Sequence, residues 1–444
     1  MAASRDSVRG TDAAIAAVHA AWAAGEIVAV KGIGGYHLTC DAANDVAVAR
    51  LRTRKGRVEK PFAEMVRDVA QADALAELGS AERRALSSSA RPIVLAARRP
   101  NARISPAVAP GNPDVGMMLA YSGIHELLLS PVPGSEPEPP RVIVATSGNR
   151  SNEPICIDDD DARARLGDLA DAFLTHDREI HVACDDSVVR IVNGAEQPVR
   201  RSRGYAPMPV TLPIDAPPTL AIGGELKSAF CIAAGEHGWM SQHIGDLENL
   251  ETLQALERSI ASFRTMYRID PEVVAVDAHP GYLSRRWALE HYGERGTIVE
   301  VQHHHAHIAA LMAECGASGA APVIGIAFDG TGYGAAIDGR PAIWGGEVLL
   351  ADYDGFERIS HLAELPLPGG DAAVRNPWRV AVAYAVASGI ELDEACAPVR
   401  IGGALGSALV ERQVRRGVGV VPTTSMGRLF DAVASLLDVR HQVT

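Results

Sequence analysis

The chain has 444 residues, 47% hydrophobic and 22% charged, ordinary for a globular protein but too long for one compact core. Its formal net charge of −13 argues against a broad electrostatic nucleic-acid binder, though it leaves room for local basic pockets. No apolar run reaches the roughly 18 residues of a membrane helix. The opening residues do not read as a signal peptide, and six cysteines without a CxxC pair argue against a cysteine zinc site, so a reducing cytoplasm is the expected location.

Residues 11 to 25, "TDAAIAAVHAAWAAG", carry a Thr or Asp cap, helix-forming alanines and a closing glycine, which predicts a helix. "EIVAVKG" follows as a short buried strand, with Lys31 at its end beside glycines. "NDVAVARLRTRKGR" is helical in pattern and closes on positive charge. "RVIVATSGN" is a strand opening into a glycine turn. "DDDDARARLGDLADAFL" starts with acids where a helix macrodipole favours them. "HVACDDSVVRIV" reads as one strand, or two with a turn. Residues 1–204 are therefore expected to form one α/β domain, and 205–218, with five prolines, a linker.

In residues 219–444 the pattern changes. "TLAIGG", "KSAFCIAAG" and "GWMSQHIG" read as three short strands, followed by helix, strand, helix, strand and a histidine-rich helix. From residue 322 a similar opening returns in "PVIGIAFDGTGYG", "AAIDGRPAIWGG" and "EVLLADYDGF". We read this as one ribonuclease-H-like lobe followed by a second, α/β throughout. Helical segments follow, and the second lobe is expected to be incomplete at Thr444.

Three groups of residues carry chemistry. Arg52, Arg54, Lys55, Arg57 and Lys60 fall within nine residues of an acidic chain. A solvated helix end is the plain alternative. Here, however, Gly56 breaks the helix, Pro61 and Phe62 anchor the loop, and Arg200, Arg201 and Arg203 add further positive charge. Convergent Lys and Arg suit a triphosphate. Thr146, Ser147 and Asn149 are small donors at a strand end, and Gly148 lets a ligand approach the backbone. With Lys31 they outline a nucleotide pocket.

The third group is "EVQHHHAHIAAL". His303 and His307 are four apart, which on a helix places both on one face. His304 and His305 are expected to point elsewhere. Asp329 ends the next strand, so two imidazoles and a carboxylate can share a divalent metal, zinc or iron. An i,i+4 pair that merely packs near Asp329 is the alternative. "GGELKSAF" and "FDGTGYG" are glycine turns whose N–H groups could meet nucleotide phosphates, with Lys227, Gly330 and Gly332 as candidate contacts; ordinary β-turns are the alternative. Asp277 and His279 stand at another strand end.

"KGIGGYHLTCDAAND", "RTRKGRVEKPFAEMV", "TSGNRSNEPI", "CDDSVVRIV" and "RRSRGYAP" resemble the YrdC-like domain of the HypF carbamoyltransferase family. "GGELKSAFC", "SQHIGDLEN", "DAHPGYLS", "VQHHHAHIAAL", "FDGTGYG" and "SMGRLFDAVA" continue the resemblance through the ATPase-like part. It implies that ATP, with Mg2+, and carbamate derived from carbamoyl phosphate give carbamoyl-adenylate and pyrophosphate. Lys55, Arg57 and Lys60 would neutralise the phosphates, while Ser147, Asn149, Ser187 and Arg201 hold the nucleotide. It further implies a metal at His303, His307 and Asp329, and transfer of the carbamoyl group to the C-terminal cysteine of the partner HypE, toward the cyanide ligands of [NiFe]-hydrogenase. The family's acylphosphatase-like and zinc-finger parts and its C-terminal end have no counterpart in this sequence. A fragment, a split product with a companion chain or a short reading frame is expected, with adenylation intact and transfer impaired alone. Competing readings are an enzyme of tRNA threonylcarbamoyladenosine synthesis, a non-catalytic nucleotide- or RNA-binding remnant, and a metallohydrolase. The acidic balance argues against RNA.

Overall fold

The computed structural model describes residues 7–57, 59–150, 153–294 and 296–443. Residues 1–6, part of the segment read against a signal peptide, lie outside the described residues. The chain folds into two compact units. One comprises residues 1–210, 223–233 and 237–270; the other comprises 211–222, 234–236 and 271–444.

The first unit is built on a nine-stranded sheet. Its strands are β1 (Val28–Lys31), β2 (Tyr36–Asp41), β3 (Ala63–Val66), β4 (Ile93–Ala97), β5 (Asp114–Leu119), β6 (Val142–Ser147), β7 (Ala172–Leu174), β8 (Val188–Val192) and β9 (Ala195–Arg200). They lie in the order β7-β1-β2-β6-β3-β5-β4-β8-β9. Both faces are covered. Tyr36, Leu38, Leu51, Phe62 and Val144 fill one face, and Ile15, Trp22, Val30, Met65 and Met118 the other. That is why β1 reads as an unbroken apolar run rather than an alternating one.

The helix Thr11–Ala23 ends where expected, with Gly25 at φ +76. In the helix Asp45–Lys55, Asn44 caps the start by accepting from the N–H groups of Val46 and Ala47. Gly56, at φ +63, closes it in the left-handed conformation that glycine adopts without penalty. Register then sets the site: β2 and β6 run antiparallel with His37 opposite Ser147. This brings the end of β6 beside the start of β2.

Several expectations need correction. The acid-led helix covers only Asp159–Leu166, and "AFL" turns into β7, parallel to β1. "HVACDDSVVRIV", read as one strand or two, forms one, β8, confined to its last five residues. The proline-rich stretch read as a linker is largely strand, β10 (Pro209–Ile222). Its parallel ladder to β12 is confined to residues 219–221, beyond the last proline, so no proline leaves a gap there. Of the three short strands expected after it, "TLAIGG" supplies the end of β10, and the other two are merged in one long strand, β11 (Phe230–Met240). The helix Leu250–Tyr267 belongs to the first unit.

In the second unit, β10, β12 (Val273–Asp277) and β13 (Thr297–Val301) run parallel, and β13 leads into the helix His303–Glu314. A second sheet follows from β14 (Val323–Ala335), β15 (Pro341–Ala351), β16 (Phe356–His361), β17 (Leu365–Pro368) and β18 (Val420–Thr423). Its order is β14-β15-β18-β17, with β16 also on β15. β14 is irregular between Phe328 and Gly332, which places Asp329 at a bulge.

Candidate functional site

Lys55 ends its helix and is almost fully buried. Its Nζ donates to Asn149 Oδ1 at 2.8 Å and to the Ser147 carbonyl. Beyond the Gly56 turn, Arg57 donates from Nη1 to Thr146 Oγ1 at 2.8 Å and from Nη2 to the Pro61 carbonyl at 2.8 Å. The guanidinium groups of Arg52 and Arg57 each lie 5.0 Å from the Phe62 ring centroid. Ser147 Oγ donates to Asn149 Oδ1 at 2.8 Å. Lys55, Arg57, Thr146, Ser147 and Asn149 thus form one connected group at the end of β6.

Its electrostatics are under-compensated. Burial, then the charge of Arg57, pushes the Lys55 ammonium down to about 7. Burial, then Arg52, pushes Arg57 down to about 10. Lys60 is lowered by burial, then by Arg57 and Arg200. Asp185 is the acid that opposes all three shifts, and it is itself paired with Arg200 at 2.7 Å. Cations that depress one another in a partly dry site leave a standing demand for an anion.

Other predicted contacts are engaged elsewhere. Lys31 Nζ lies 2.7 Å from Asp159 Oδ1 and donates to the His176 carbonyl. Ser187, fully buried, donates to the Arg203 carbonyl and accepts from the Ser202 N–H. Arg201 donates to the carbonyls of Tyr205 and Met208, each at 2.9 Å. Lys227 is exposed, and its N–H is taken by Asp246. The side chains of Lys31, Ser187 and Arg201 hold backbone in place. Sequence reasoning missed His37, Tyr121 and Asp186 beside them, and Arg203, expected to add charge for phosphate, belongs to that buried set: His37 Nε2 lies 3.1 Å from Asp186, Arg203 Nε 2.8 Å from the same carboxylate, and the Arg203 guanidinium 3.4 Å from the Tyr121 ring centroid. Burial would raise the Asp186 carboxyl, but His37 and Arg203 hold it well below the usual carboxylate range.

In the second unit, His303 and His307 begin a helix capped by Gln302. Their Nε2 atoms are 3.3 Å apart. Asp329 Oδ2 lies 3.1 Å from His303 Nε2 and 3.4 Å from His307 Nε2. Donors about 2.0–2.1 Å from a tetrahedral ion are separated by about 3.3–3.4 Å, so the three atoms already stand at the corners of such a site. Asp277 Oδ2 lies 2.8 Å from His303 Nδ1, and these hydrogen bonds to Asp277 and Asp329 raise the His303 imidazole to about 9. With the Nδ1 proton committed to Asp277, His303 turns Nε2 toward the cluster. His305 donates toward the Asp352 carbonyl, away from the cluster as expected.

His304 does not point away. It is fully buried, with Nε2 at 4.0 Å from Asp329 Oδ2, and burial pushes its imidazole down to about 4. The Gly330 N–H, expected to face phosphate, is taken by Asp329 Oδ1 at 2.6 Å. Gly332 has a packing reason: a Cβ there would sit 2.3 Å from His304 Cε1.

Residues 20–202 match the family model described as telomere recombination, the Sua5–YciO–YrdC family. Residues 215–314 match the HypF Kae1-like domain, and residues 325–444 the second subdomain of the carbamoyltransferase Kae1-like domain. The chain belongs to the HypF family. Carbamoyltransferase HypF2 of Cupriavidus necator is 44% identical over 94% of this chain and 52% of its own length. Carbamoyltransferase HypF of Rhizobium leguminosarum bv. viciae is 44% identical over 94% and 53%. The crystal structure of full-length HypF in the phosphate- and nucleotide-bound form superposes with a TM-score of 0.87 at 40% identity, covering 97% of this chain and 65% of that one. The chain thus spans about half the length of the curated HypF relatives it matches. The expected architecture, a YrdC-like α/β domain followed by Kae1-like subdomains, is the HypF architecture. Among the described residues no helix is long and apolar enough to cross a membrane.

Proposed function

We propose that the chain acts as a carbamoyltransferase of [NiFe]-hydrogenase maturation. In its cationic pocket a carbamate oxygen attacks the α-phosphorus of ATP, and the bond from that phosphorus to the bridging oxygen of pyrophosphate breaks. Carbamoyl-adenylate and pyrophosphate result. No side-chain nucleophile is required: Lys55 and Arg57 supply charge where the leaving group gathers it, and Thr146, Ser147 and Asn149 hold them there. Carbamoyl-adenylate is then the donor for a thiol, the C-terminal cysteine of HypE: sulfur bonds to the carbamoyl carbon, and AMP leaves.

The observation that carries this reading is the gathering of Lys55 and Arg57 on Thr146, Ser147 and Asn149, where burial and neighbouring cations hold Lys55, Arg57 and Lys60 below their ordinary values and Asp185 is the common opposing acid, in a chain of net charge −13. Nucleotide and phosphate in the related HypF crystal structure support it.

His303 Nε2, His307 Nε2 and Asp329 Oδ2 fit a divalent metal ion, by their spacing and as two imidazoles with a carboxylate. When bound, such an ion supplies Lewis-acid charge for a carbamoyl oxygen. Asp277 orients His303.

The test is pyrophosphate release from ATP and Mg2+, with and without carbamoyl phosphate or bicarbonate and ammonium. Release that depends on the carbamate source and is lost in Arg57→Ala supports the reading. Threonine-dependent release would instead support threonylcarbamoyladenosine synthesis.

A further inference from the structure

We infer that His304 is a positioning residue for the cluster: it donates its Nε2–H toward Asp329 and so fixes the carboxylate oxygen that faces the metal. This rests on the metal reading of His303, His307 and Asp329.

The amide orientation of Gln302 is settled by its partners. Its Oε1 accepts from the backbone N–H groups of His304 and His305, at 2.7 and 3.0 Å. Its Nε2 lies 3.1 Å from the Tyr333 carbonyl, which can only accept. The NH2 group is therefore the end that also meets His304 Nδ1, at 3.2 Å. An NH2 group donates, so His304 Nδ1 carries a lone pair and its proton sits on Nε2. As a neutral donor, that nitrogen is not a metal ligand.

Where the N–H points is set by packing. His304 is 0% exposed, and its Nε2 has no hydrogen-bond partner among the described residues. A buried unmatched donor costs about 1–3 kcal/mol, so such a group calls for an explanation. The nearby acceptor is Asp329 Oδ2 at 4.0 Å, the oxygen that also faces His303 and His307. The other oxygen, Oδ1, is already held by the Gly330 N–H. Gly332 makes room for the ring. Gln302, His304, Gly330 and Gly332 thus converge on the orientation of one carboxylate. A shift of the His304 ring by about 1 Å, the gap between 4.0 Å and an ordinary hydrogen bond, completes the contact with Oδ2 where it stands.

The test uses the full chain stripped of metal and titrated with zinc or ferrous ion against a chelator of known affinity. His304→Phe keeps a ring without the donor; we expect its affinity to fall about tenfold to hundredfold, the usual loss for an outer partner of a ligand. His304→Gln retains an N–H and should stay within about threefold of wild type on the same scale. Should His304→Phe fail to fold, nitrogen NMR of the metal-free wild type, assigned against His304→Gln, must show the proton on Nε2. Wild-type affinity in folded His304→Phe, or a proton on Nδ1, overturns the inference and leaves the metal reading standing. Failure of the wild type to bind either metal, or binding that survives His303→Ala, overturns the metal reading and the inference with it.

Discussion

Asp277 Oδ2 lies 2.8 Å from Nδ1 of His303, a carboxylate at the end of β12 orienting an imidazole at the start of the next helix but one. The pairing decides which ring nitrogen His303 offers. Asp277→Ala should weaken metal binding about tenfold to hundredfold. Asp277→Asn, whose oxygen can still accept from Nδ1, should recover most of that loss. Chelator competition on the three proteins checks the order; equal affinities would contradict it.

Nucleotide binding should be linked to protons through Lys55. Burial and neighbouring cations hold its ammonium near 7, so above that pH the metal- and nucleotide-free pocket is largely deprotonated at this group. A triphosphate restores negative charge and raises the value again. ATP binding at pH 8 should therefore take up close to one proton, and uptake should shrink toward pH 6. Calorimetry in buffers of different ionisation heat measures it. Lys55→Met should abolish the uptake.

Glu64 is the strongest candidate for a stabilising change. It is fully buried in β3, neither carboxylate oxygen has a partner in good hydrogen-bond geometry among the described residues, and burial pushes the carboxyl up to about 8 against the weaker opposing pull of the Glu64 and Gly116 backbone and of Arg98. Its folded value lies above its unfolded one, so the folded chain holds a proton that the unfolded chain has lost. Its contribution to stability therefore falls as pH rises from the ordinary glutamate range to about 8. Glu64→Leu should stabilise the first unit on the order of 2–4 kcal/mol at pH 8, and by much less at pH 4. Denaturant unfolding at the two pH values decides; an equal gain at both would contradict burial of the charge as the cause.

Glu347 is the opposite case. It is fully buried but accepts from Gly345, Gly346, Thr424 and Arg358, the last at 2.7 Å. Glu347→Ala strands Arg358 and should cost the second unit about 3–5 kcal/mol. Thermal unfolding should show that loss while ATP binding by the first unit persists.

Much of this was legible in the sequence because the signals were local. Asn44 and Gly56 delimit a helix through capping chemistry, and the i,i+4 spacing puts His303 and His307 on one face whatever surrounds them. Asp329 joins them from a bulge within β14 rather than from the strand end expected. What stayed hidden depended on partners. Lys31, Ser187 and Arg201 have the chemistry of phosphate contacts, yet a carbonyl or a nearby carboxylate satisfies the same donors. β10 was masked by its prolines, because its parallel ladder occupies three residues beyond them. The helix Ala397–Arg416 was hidden by Gly402 and Gly403, the second of which breaks its regularity at φ +67. His304 lies on a different face of its helix from His303; only the course of β14, with Gly332 against the ring, returns it to Asp329.

The central claim is that an acyl-nucleotide forms where Lys55 and Arg57 meet the end of β6. It is tested most directly by incubating the chain with ATP, Mg2+ and isotope-labelled carbamate and separating the nucleotides. The account predicts label on an AMP species in equal amount to pyrophosphate, and neither product with Arg57→Ala. ATP that binds at this pocket yet gives no labelled nucleotide and no pyrophosphate would contradict it.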